Sequence, residues 1–261
     1  MINSNLTFRW TNLLVIGLIL NIAISTSNAE TPSQQFESAN KSYRSGNYSL
    51  AAKQYESLIK SGQHNAVIYF NNGNCYYKLQ DLPNAILNFE RAKRLDPLDD
   101  DINYNLKIAY ANTLDKIEPI PLLFYERWWN ALLFSFNPAT WSWIAIIAIW
   151  ISFCFGIWYL FAGTVKSKKR SFLSSSGILI VALMIFGLAA CSHKKIYGQR
   201  TAIVMDANAY IKSSPDNKST NLFMLHGGTK IDVLDEIPGY KQIRIANGNL
   251  GWIEEKSVVV I

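Results

Sequence analysis

The sequence predicts a multidomain membrane protein that combines an α-helical repeat solenoid, a two-helix transmembrane hairpin and a small all-β barrel. Three observations lead to this fold class. The chain resembles itself at a spacing of about 34 residues between positions 32 and 99, two long apolar runs occupy its middle, and short alternating segments separated by turn residues fill positions 201–261. Apolar residues make up 49% of the 261 positions and concentrate in these runs, so the chain divides into membrane and aqueous parts.

Residues 1–29 have the pattern of a secretory signal peptide. Arg9 supplies a positive charge, residues 13–24 are an apolar stretch too short to span a bilayer comfortably, and Ser27, Asn28 and Ala29 supply the small residues of a cleavage site. We expect cleavage after Ala29. An uncleaved membrane anchor is the alternative.

Residues 30–118 are predicted to form the repeat domain. The second copy of the unit carries its signature residue types at Tyr69, Gly73, Tyr76, Ala85, Phe89, Ala92 and Pro97. The first copy is degenerate but in phase, with Ala39, Gly46, Tyr48, Ala51, Tyr55 and Leu58. These residues resemble the tetratricopeptide repeat, in which small side chains let paired helices approach and aromatic side chains fill the space between repeats. We expect helices near residues 34–45, 49–60, 66–79, 83–94 and 100–116, the last of which closes the stack.

The first helix of each repeat is expected to line a concave groove. The predicted partner-binding groove consists of Phe36, Asn40, Tyr43, Phe70, Asn71, Asn74, Tyr77 and Tyr104. Some tetratricopeptide-repeat domains grip a peptide carboxylate with cations and asparagines, but here Phe36, Asp101 and Asn105 stand where the cations would be. This favours an aromatic-lined groove for an extended or helical segment of a partner protein. For Phe70 and Tyr77, packing in the core between repeats is an equal alternative.

The middle of the chain is predicted to cross the membrane twice. Residues 119–138 form an apolar segment that lies at the membrane interface or packs under the repeat domain. Residues 139–162 and 172–191 are the two predicted spans, and residues 192–200 are a linker. The connector, residues 163–171, is basic and is therefore expected in the cytoplasm. Both flanking domains then lie on the periplasmic side of a bacterial inner membrane, in agreement with the signal peptide.

Residues 201–261 are predicted to form a small barrel. The expected strands are 201–205, 209–212, 230–234, 241–245, 250–254 and 258–260, with glycine- and asparagine-rich turns between them. The segments AYIKSSP at 209–215, LHGGT at 225–229 and GWI at 251–253 resemble a bacterial SH3-like domain. Tyr240 and Trp252 are the candidate binding surface, although a tryptophan at this position is more often a core residue.

Charge and chemistry exclude several classes of function. The net charge of +6 comes largely from Lys166, Lys168, Lys169 and Arg170 in the connector, so it is a topology signal and we predict no nucleic-acid binding. The histidines and cysteines stand apart in sequence, namely His64, His193, His226, Cys75, Cys154 and Cys191. No nucleophile motif or phosphate-binding glycine loop accompanies them. We therefore predict no enzymatic activity, no cofactor and no metal site, and we assign the aspartates at 99–101 to a helix dipole.

The order of the parts, with YFNNGNCYYKL at 69–79, NAILNFERAKRLDP at 84–97 and NYNLK at 103–107, resembles the BatE family of the Bacteroides aerotolerance operon. The resemblance covers nearly the whole chain. It implies partnership with membrane proteins that carry von Willebrand factor A domains and with a MoxR-type ATPase, and a role in oxidative or envelope stress.

These observations favour a non-enzymatic, membrane-anchored scaffold that mediates protein–protein interaction through its repeats in an inner-membrane complex of the aerotolerance type. The alternative is a cell-wall sensor that binds peptidoglycan or a peptide through the SH3-like domain. A third hypothesis, an assembly factor for other membrane proteins, is not separated from the first by the sequence.

Overall fold

The computed structural model describes residues 30–261, so the predicted signal peptide lies outside the described residues. In this part of the chain, eight α-helices precede a seven-stranded sheet, which agrees with the predicted fold class. The helices are α1 (Pro32–Arg44), α2 (Tyr48–Lys60), α3 (Ala66–Lys78), α4 (Leu82–Leu95), α5 (Asp100–Ala111), α6 (Phe124–Leu133), α7 (Pro138–Phe161) and α8 (Val165–Tyr197).

The five helices of the repeat domain all begin at a polar N-cap. The side chains of Thr31, Asn47, Asn65, Asp81 and Asp99 each accept a hydrogen bond from a backbone N–H of the following turn. Asp100 and Asp101 lie in the first turn of α5, where negative charge stabilises the helix dipole.

Paired helices in the repeat domain approach each other at small residues. Ala39, Ala51 and Ala85 are fully buried. At Gly73 a Cβ atom would lie 2.7 Å from carbon atoms of the Phe89 ring, so α3 and α4 contact each other through the glycine itself. The small residues of the repeat pattern therefore act as predicted, by permitting close helix contacts.

The helix α5 ends earlier than the sequence indicated. It stops at Ala111 rather than near residue 116, because several side chains satisfy its last carbonyl groups. The Asn112 amide donates to the carbonyl oxygen of Ile108 at 2.9 Å, and the Lys116 ammonium donates to that of Ala111 at 2.7 Å. The chain is then free to turn towards the C-terminal sheet.

The helices α7 and α8 form an antiparallel hairpin and are long and apolar enough to cross a membrane. Small side chains on the two helices are buried, namely Ala145, Ser152, Ser171, Ala182, Ala189 and Ser192. The Ser152 hydroxyl donates to the carbonyl oxygen of Ser175 at 2.8 Å, and the Ser175 hydroxyl donates to that of Ser152 at 3.0 Å. Small residues and reciprocal hydroxyl bonds are typical of helix pairs in a membrane.

The basic connector and the linker after the second span are more helical than the sequence indicated. Thr164 caps α8 by accepting from the backbone N–H of Ser167 at 3.2 Å, so the helix begins at Val165 and contains the basic cluster of residues 166–170. At its other end α8 continues to Tyr197. Lysine and arginine are good helix formers, and a capped helix satisfies their backbone groups.

The C-terminal sheet is antiparallel throughout, with the strand order β3-β2-β6-β5-β4-β1-β7. Its strands are β1 (Thr201–Val204), β2 (Ala209–Lys212), β3 (Asn221–Leu225), β4 (Lys230–Ile237), β5 (Tyr240–Arg244), β6 (Leu250–Glu254) and β7 (Val258–Val260). Ile211, Ile231, Ile243 and Ile253 form the centre of one buried cluster. One face of the curved sheet is therefore the core of the barrel.

The strand β3 was not predicted. It pairs with β2 at the edge of the sheet, with Tyr210 opposite Met224. Its four consecutive apolar residues, 222–225, lack the alternation that marks a half-buried strand. Two of them, Leu222 and Met224, are exposed. Because exposed positions of this strand are apolar too, the sequence does not show the alternation that would identify it.

The barrel packs on the repeat domain and closes its stack. Ile203 of β1 is fully buried in one cluster with Ile86, Phe89 and Leu106 of α4 and α5, and Val259 packs against that cluster. This is the side on which a further helix of the solenoid would stack. The sequence predicted that α5 closes the stack. In the structure the barrel also covers the apolar face of α4 and α5, so helix and barrel together cap the solenoid.

Candidate partner-binding groove

The eight residues of the predicted groove lie on α1, α3 and α5, and none of them is fully buried. A shift of one repeat length relates Phe36, Phe70 and Tyr104 to one another as equivalent positions of successive repeats. The structure therefore places one aromatic side chain at the same position of each first helix.

The three equivalent aromatics differ in burial for a structural reason. The Phe36 ring lies 6.0 Å from that of Tyr55, and the Phe70 ring lies 5.9 Å from that of Phe89, each on the second helix of its own repeat. After α5 no second helix of this kind follows in the described chain, and Tyr104 is 65% exposed. Phe36 and Phe70 thus contribute to core packing as well as to the predicted groove, whereas the ring of Tyr104 is largely exposed.

The asparagines of the groove pair across successive first helices. Asn71 donates its amide N–H to Oδ1 of Asn40 at 3.3 Å, and Asn105 donates to Oδ1 of Asn74 at 3.0 Å. The two pairs are related by the same shift of one repeat. Each side-chain amide has two donor hydrogens and an acceptor oxygen, so these pairs fix the side chains and leave them groups with which to bind a peptide backbone.

The two remaining tyrosines of the predicted groove lie at its edges. The Tyr43 ring packs edge-on against Tyr48 with centroids 5.2 Å apart. The hydroxyl of Tyr77 accepts a hydrogen bond from the Asn112 amide at 3.2 Å, and its ring packs against the cluster shared by α4 and α5. Tyr77, like Phe70, therefore contributes to core packing as well as to the predicted groove.

Three ionisable side chains in or beside the predicted groove, Tyr43, Tyr55 and Cys75, have raised pKa values and stay protonated at physiological pH. Burial raises the pKa of Tyr55 to about 12, and its hydroxyl donates to Asn40 at 2.6 Å. Burial also raises the pKa of the Cys75 thiol to about 12 and raises the pKa of Tyr43. The eight predicted groove residues are phenylalanine, tyrosine and asparagine, which offer aromatic surface and amide hydrogen-bonding groups.

Two groove residues were missed as candidates. Asn105 and Asn112 hold Asn74 and Tyr77 in place. In the sequence, Asn105 is notable only as a residue that stands in place of an expected cation. Its equivalence to Asn71, exactly one repeat earlier in the chain, is the signal that would have identified it.

The family model for the tetratricopeptide repeat matches residues 66–99. The match spans α3 and α4 and reaches beyond Pro97, the proline that follows α4. A comparison of the chain with curated proteins returns no match. The chain therefore contains a tetratricopeptide repeat, formed by α3 and α4. The preceding pair, α1 and α2, is not matched by the family model and is assigned as a repeat from residues at equivalent positions, such as Phe36 and Phe70.

The tetratricopeptide-repeat domain is joined to the barrel by polar contacts at one end. The Asp115 carboxylate accepts from the backbone N–H of His226 at 2.7 Å, from Nδ1 of His226 at 2.7 Å and from the Thr229 hydroxyl at 2.6 Å. Burial acts to raise the pKa of Asp115, but these three hydrogen bonds outweigh it and hold the pKa below its usual value. Asp115 thus binds the barrel as a carboxylate.

The barrel presents its predicted surface on the face opposite its core. Trp252 pairs with Lys212 of β2 and Gln242 of β5, whereas its neighbours Gly251 and Ile253 are buried. Trp252 therefore lies outside the barrel core, contrary to the usual place of such a tryptophan, because strand alternation turns it outward. Tyr240 lies on the same face, where Nζ of Lys212 is 5.7 Å from its ring centroid.

In residues 30–261, no group of three or more histidine, cysteine, aspartate or glutamate side chains converges on one point.

Proposed function

We propose that this protein is a non-enzymatic, membrane-anchored scaffold whose tetratricopeptide-repeat groove docks a segment of a partner protein. The observation that carries this proposal is the series Phe36, Phe70 and Tyr104, one aromatic side chain at the equivalent position of each first helix. Aromatic side chains dominate the binding energy of protein interfaces. A recurring, partly exposed set of them suits an extended or helical peptide.

The position of the barrel supports this proposal. The barrel contacts α4 through Ile86, Glu90 and Arg94, and its Ile203 shares a buried cluster with Leu106 of α5. Tyr104 on the same helix α5 nevertheless remains exposed, so the barrel leaves this residue of the predicted groove accessible.

The contact between the two aqueous domains also supports a topology. Domains that touch lie on the same side of a membrane, so the chain between them crosses it an even number of times. The hairpin of α7 and α8 provides two crossings. The basic cluster at residues 166–170 lies at the far end of the hairpin, and by the positive-inside rule that end is cytoplasmic. We infer that both domains face the periplasm from a bacterial inner membrane.

The helix α6 is proposed to lie in the outer interface of the membrane. It exposes Phe124, Trp128 and Trp129, and its C-terminal end is bound to the hairpin. The Trp141 indole and the Ser192 hydroxyl both donate to the carbonyl oxygen of Leu133, at 3.3 Å and 3.2 Å. Exposed tryptophans fixed at the end of a hairpin are typical of the membrane interface.

The resemblance to the BatE family suggests the class of partner. We propose membrane proteins with von Willebrand factor A domains as the docked partners, in a complex that also involves a MoxR-type ATPase and serves aerotolerance or envelope stress. Because such partners are anchored in the same membrane, a periplasmic groove fixed close to the bilayer would meet their exposed segments at high local concentration.

The test is crosslinked affinity purification of the full chain from intact membranes. Tyr104→Ala removes an exposed ring with no loss of core packing, so it is expected to reduce partner recovery at least tenfold. The triple variant F36A/F70A/Y77A is expected to abolish recovery. Leu50→Ala is the matched control, because Leu50 is an exposed apolar residue on α2. Undiminished recovery with both groove variants would reject the proposal.

A second candidate function has one observation in its favour. Tyr240 and Trp252 lie together on the outer face of the barrel, and the Tyr240 hydroxyl donates to Asn217 at 2.6 Å. Partly exposed aromatics beside amide groups suit a sugar or peptide of the cell wall. If the barrel binds cell wall, the purified protein will sediment with isolated peptidoglycan and Trp252→Ala will not. Equal sedimentation of the wild type and Trp252→Ala would show that this face of the barrel does not bind the cell wall.

A further inference from the structure

A cavity of about 330 Å³ lies where the repeat domain, the hairpin and the barrel meet. It is bounded by the last turn of α4, by the end of α8 and by residues of the sheet. Its volume is within the range of small-ligand sites. The cavity is separate from the groove of the proposed function, since its lining includes none of the eight groove residues.

The charges that line this cavity are mostly positive. Lys93, Arg94, Lys195 and Lys230 contribute four cations, and Glu90 is the one acidic side chain among the lining residues that the structure describes. Among the lining side chains, the positive charges therefore outnumber the negative ones by three. The cavity therefore attracts an anion.

The carboxylate of Glu90 is already committed to one of these cations. It contacts Lys230 at 2.7 Å. Within residues 30–261, the other three cations make no salt bridge to a carboxylate side chain. Arg94 donates instead to main-chain oxygens of Tyr197, at 2.9 Å, and of Ile261, the last residue of the sequence. The Lys195 ammonium contacts the neutral amide oxygen of Asn130. No carboxylate side chain among residues 30–261 therefore balances the charges of Lys93 and Lys195.

The remaining walls of the cavity are apolar. Leu98, Phe134 and Ile196 line it, and Leu98 and Phe134 are partly exposed. The cavity also lies where α8 leaves its apolar stretch and next to α6, which carries the exposed tryptophans. A ligand that combines an anionic group with apolar chains, and that is available at this level, is a phospholipid of the membrane.

We propose that this cavity binds the phosphate group of an anionic phospholipid headgroup, with the acyl chains leaving towards the hairpin. The inference rests on the proposed function only in that the hairpin must cross the membrane. Lys93 and Arg94 belong to α4, Lys195 to α8 and Lys230 to β4. One bound headgroup therefore joins all three parts of the protein and fixes the groove at a constant height above the bilayer.

The experiment measures lipid binding to the full chain purified in a neutral detergent, by native mass spectrometry and by titration. The probes are dioctanoyl phosphatidylglycerol, dioctanoyl phosphatidylcholine and inorganic phosphate. We expect phosphatidylglycerol to bind most tightly. The double variant K93Q/K195Q is expected to weaken its binding on the order of tenfold, since each basic side chain contributes separately.

Lys194→Gln is the matched control, because Lys194 neighbours Lys195 on α8 but does not line the cavity. It should bind phosphatidylglycerol as the wild type does. The single variant Lys93→Gln, whose side chain makes no salt bridge in residues 30–261, gives a second measurement that does not depend on contacts to α6.

Three outcomes would overturn the proposal. Equal affinity for the two lipids would show that the charge of the headgroup does not matter. Equal affinity for inorganic phosphate and phosphatidylglycerol would show that the acyl chains do not contribute. Unchanged affinity of the double variant for phosphatidylglycerol would show that the lipid does not bind in this cavity. The same measurements distinguish this proposal from the proposed function. If the lipid binds selectively but the groove variants recover the partner as well as the wild type does, only the scaffold proposal is rejected. Loss of recovery in those variants without lipid selectivity would reject the lipid site alone.

Discussion

Tyr110 donates a hydrogen bond from its hydroxyl to Oε1 of Glu90 at 2.6 Å, across the contact between α5 and α4. At the equivalent positions of the preceding repeat, Tyr76 and Glu56 make the same hydrogen bond. Burial raises the pKa of both tyrosines well above the ordinary value, so the hydroxyls stay protonated and act as donors. Glu90 differs from Glu56 in one respect, because its second oxygen binds Lys230 of the barrel at 2.7 Å.

This difference predicts that Glu90→Gln and Glu56→Gln have unequal costs. The amide oxygen of glutamine can still accept from each tyrosine, but at residue 90 the amide N–H₂ group would face the Lys230 ammonium. We expect Glu90→Gln to lower the free energy of unfolding by about 1–2 kcal/mol, with the value limited by the partial exposure of Lys230. Glu56→Gln should cost about half a kcal/mol or less. Thermal unfolding in detergent measures both, and equal costs would mean that the contact with the barrel adds no stability.

A second prediction concerns the pH dependence of the contact between Asp115 and the barrel. The folded-state pKa of Asp115 lies below its usual value. Its contribution is therefore fully present above the unfolded pKa of about 4 and is lost as pH falls through the lower folded value. At pH 7, Asp115→Asn should destabilise the protein by about 1–3 kcal/mol, because the amide cannot accept all three hydrogen bonds.

The difference between wild type and Asp115→Asn should shrink as the pH is lowered below about 4. Urea unfolding followed by tryptophan fluorescence at a series of pH values measures this. Asp232→Asn is the control, because its ion pair with Arg244 is about half exposed and should contribute less than about 1 kcal/mol. A constant difference between wild type and the Asp115 variant across this pH range would contradict the assigned role of the carboxylate.

Much of the groove could be predicted because the repeat makes it periodic. Once residues 69–97 are aligned to the repeat, Phe36 and Tyr104 follow from Phe70 by counting one repeat length in each direction. The contacts of the barrel could not be predicted in this way. Asp115 and His226 are 111 residues apart, and neither belongs to a repeat or a periodic face, so no local pattern links them. The outward position of Trp252 likewise depends on strand pairing rather than on residue type.

Comparison of the two repeats identifies Gln80 as a residue with a strained backbone. Gly46 and Gln80 follow the first helices of the two repeats at equivalent positions, and both have positive φ angles, of 79° and 62°. A left-handed conformation costs an L-residue about 1–2 kcal/mol, and glycine avoids this cost while losing more backbone entropy on folding. We therefore expect Gln80→Gly to stabilise the protein by about 0.5–1 kcal/mol.

The converse substitution, Gly46→Gln, is the matched test and should destabilise the protein by a similar amount. Differential scanning fluorimetry of both variants gives the comparison. Stabilisation by Gly46→Gln, or destabilisation by Gln80→Gly, would show that side-chain contacts at these turns outweigh backbone strain.

The hairpin gives a prediction about packing in the membrane. Ser175, Ala182 and Ala189 recur every seven residues on α8, and both alanines are buried against α7. A larger side chain there would force the helices apart, so Ala182→Leu should lower stability by about 1–3 kcal/mol. Leu183→Phe is the control, since Leu183 is 59% exposed and its replacement adds volume on the outer face. Melting curves in detergent that rank the two variants in the opposite order would mean that α7 and α8 pack through another face.

The topology of the hairpin decides where a partner can reach the groove. The cations at residues 166–170 are expected to stay in the cytoplasm, because transferring a cluster of four charges across the membrane is strongly unfavourable. Alkaline phosphatase, which is active only after export, should be inactive when inserted after Gly163 and active when fused after Ile261. The variant K166Q/K168Q/K169Q/R170Q should weaken this asymmetry, whereas Lys194→Gln/Lys195→Gln at the other end of α8 should strengthen it. Activity of the Gly163 fusion in the wild-type chain would place the connector outside, and the groove would then face cytoplasmic proteins.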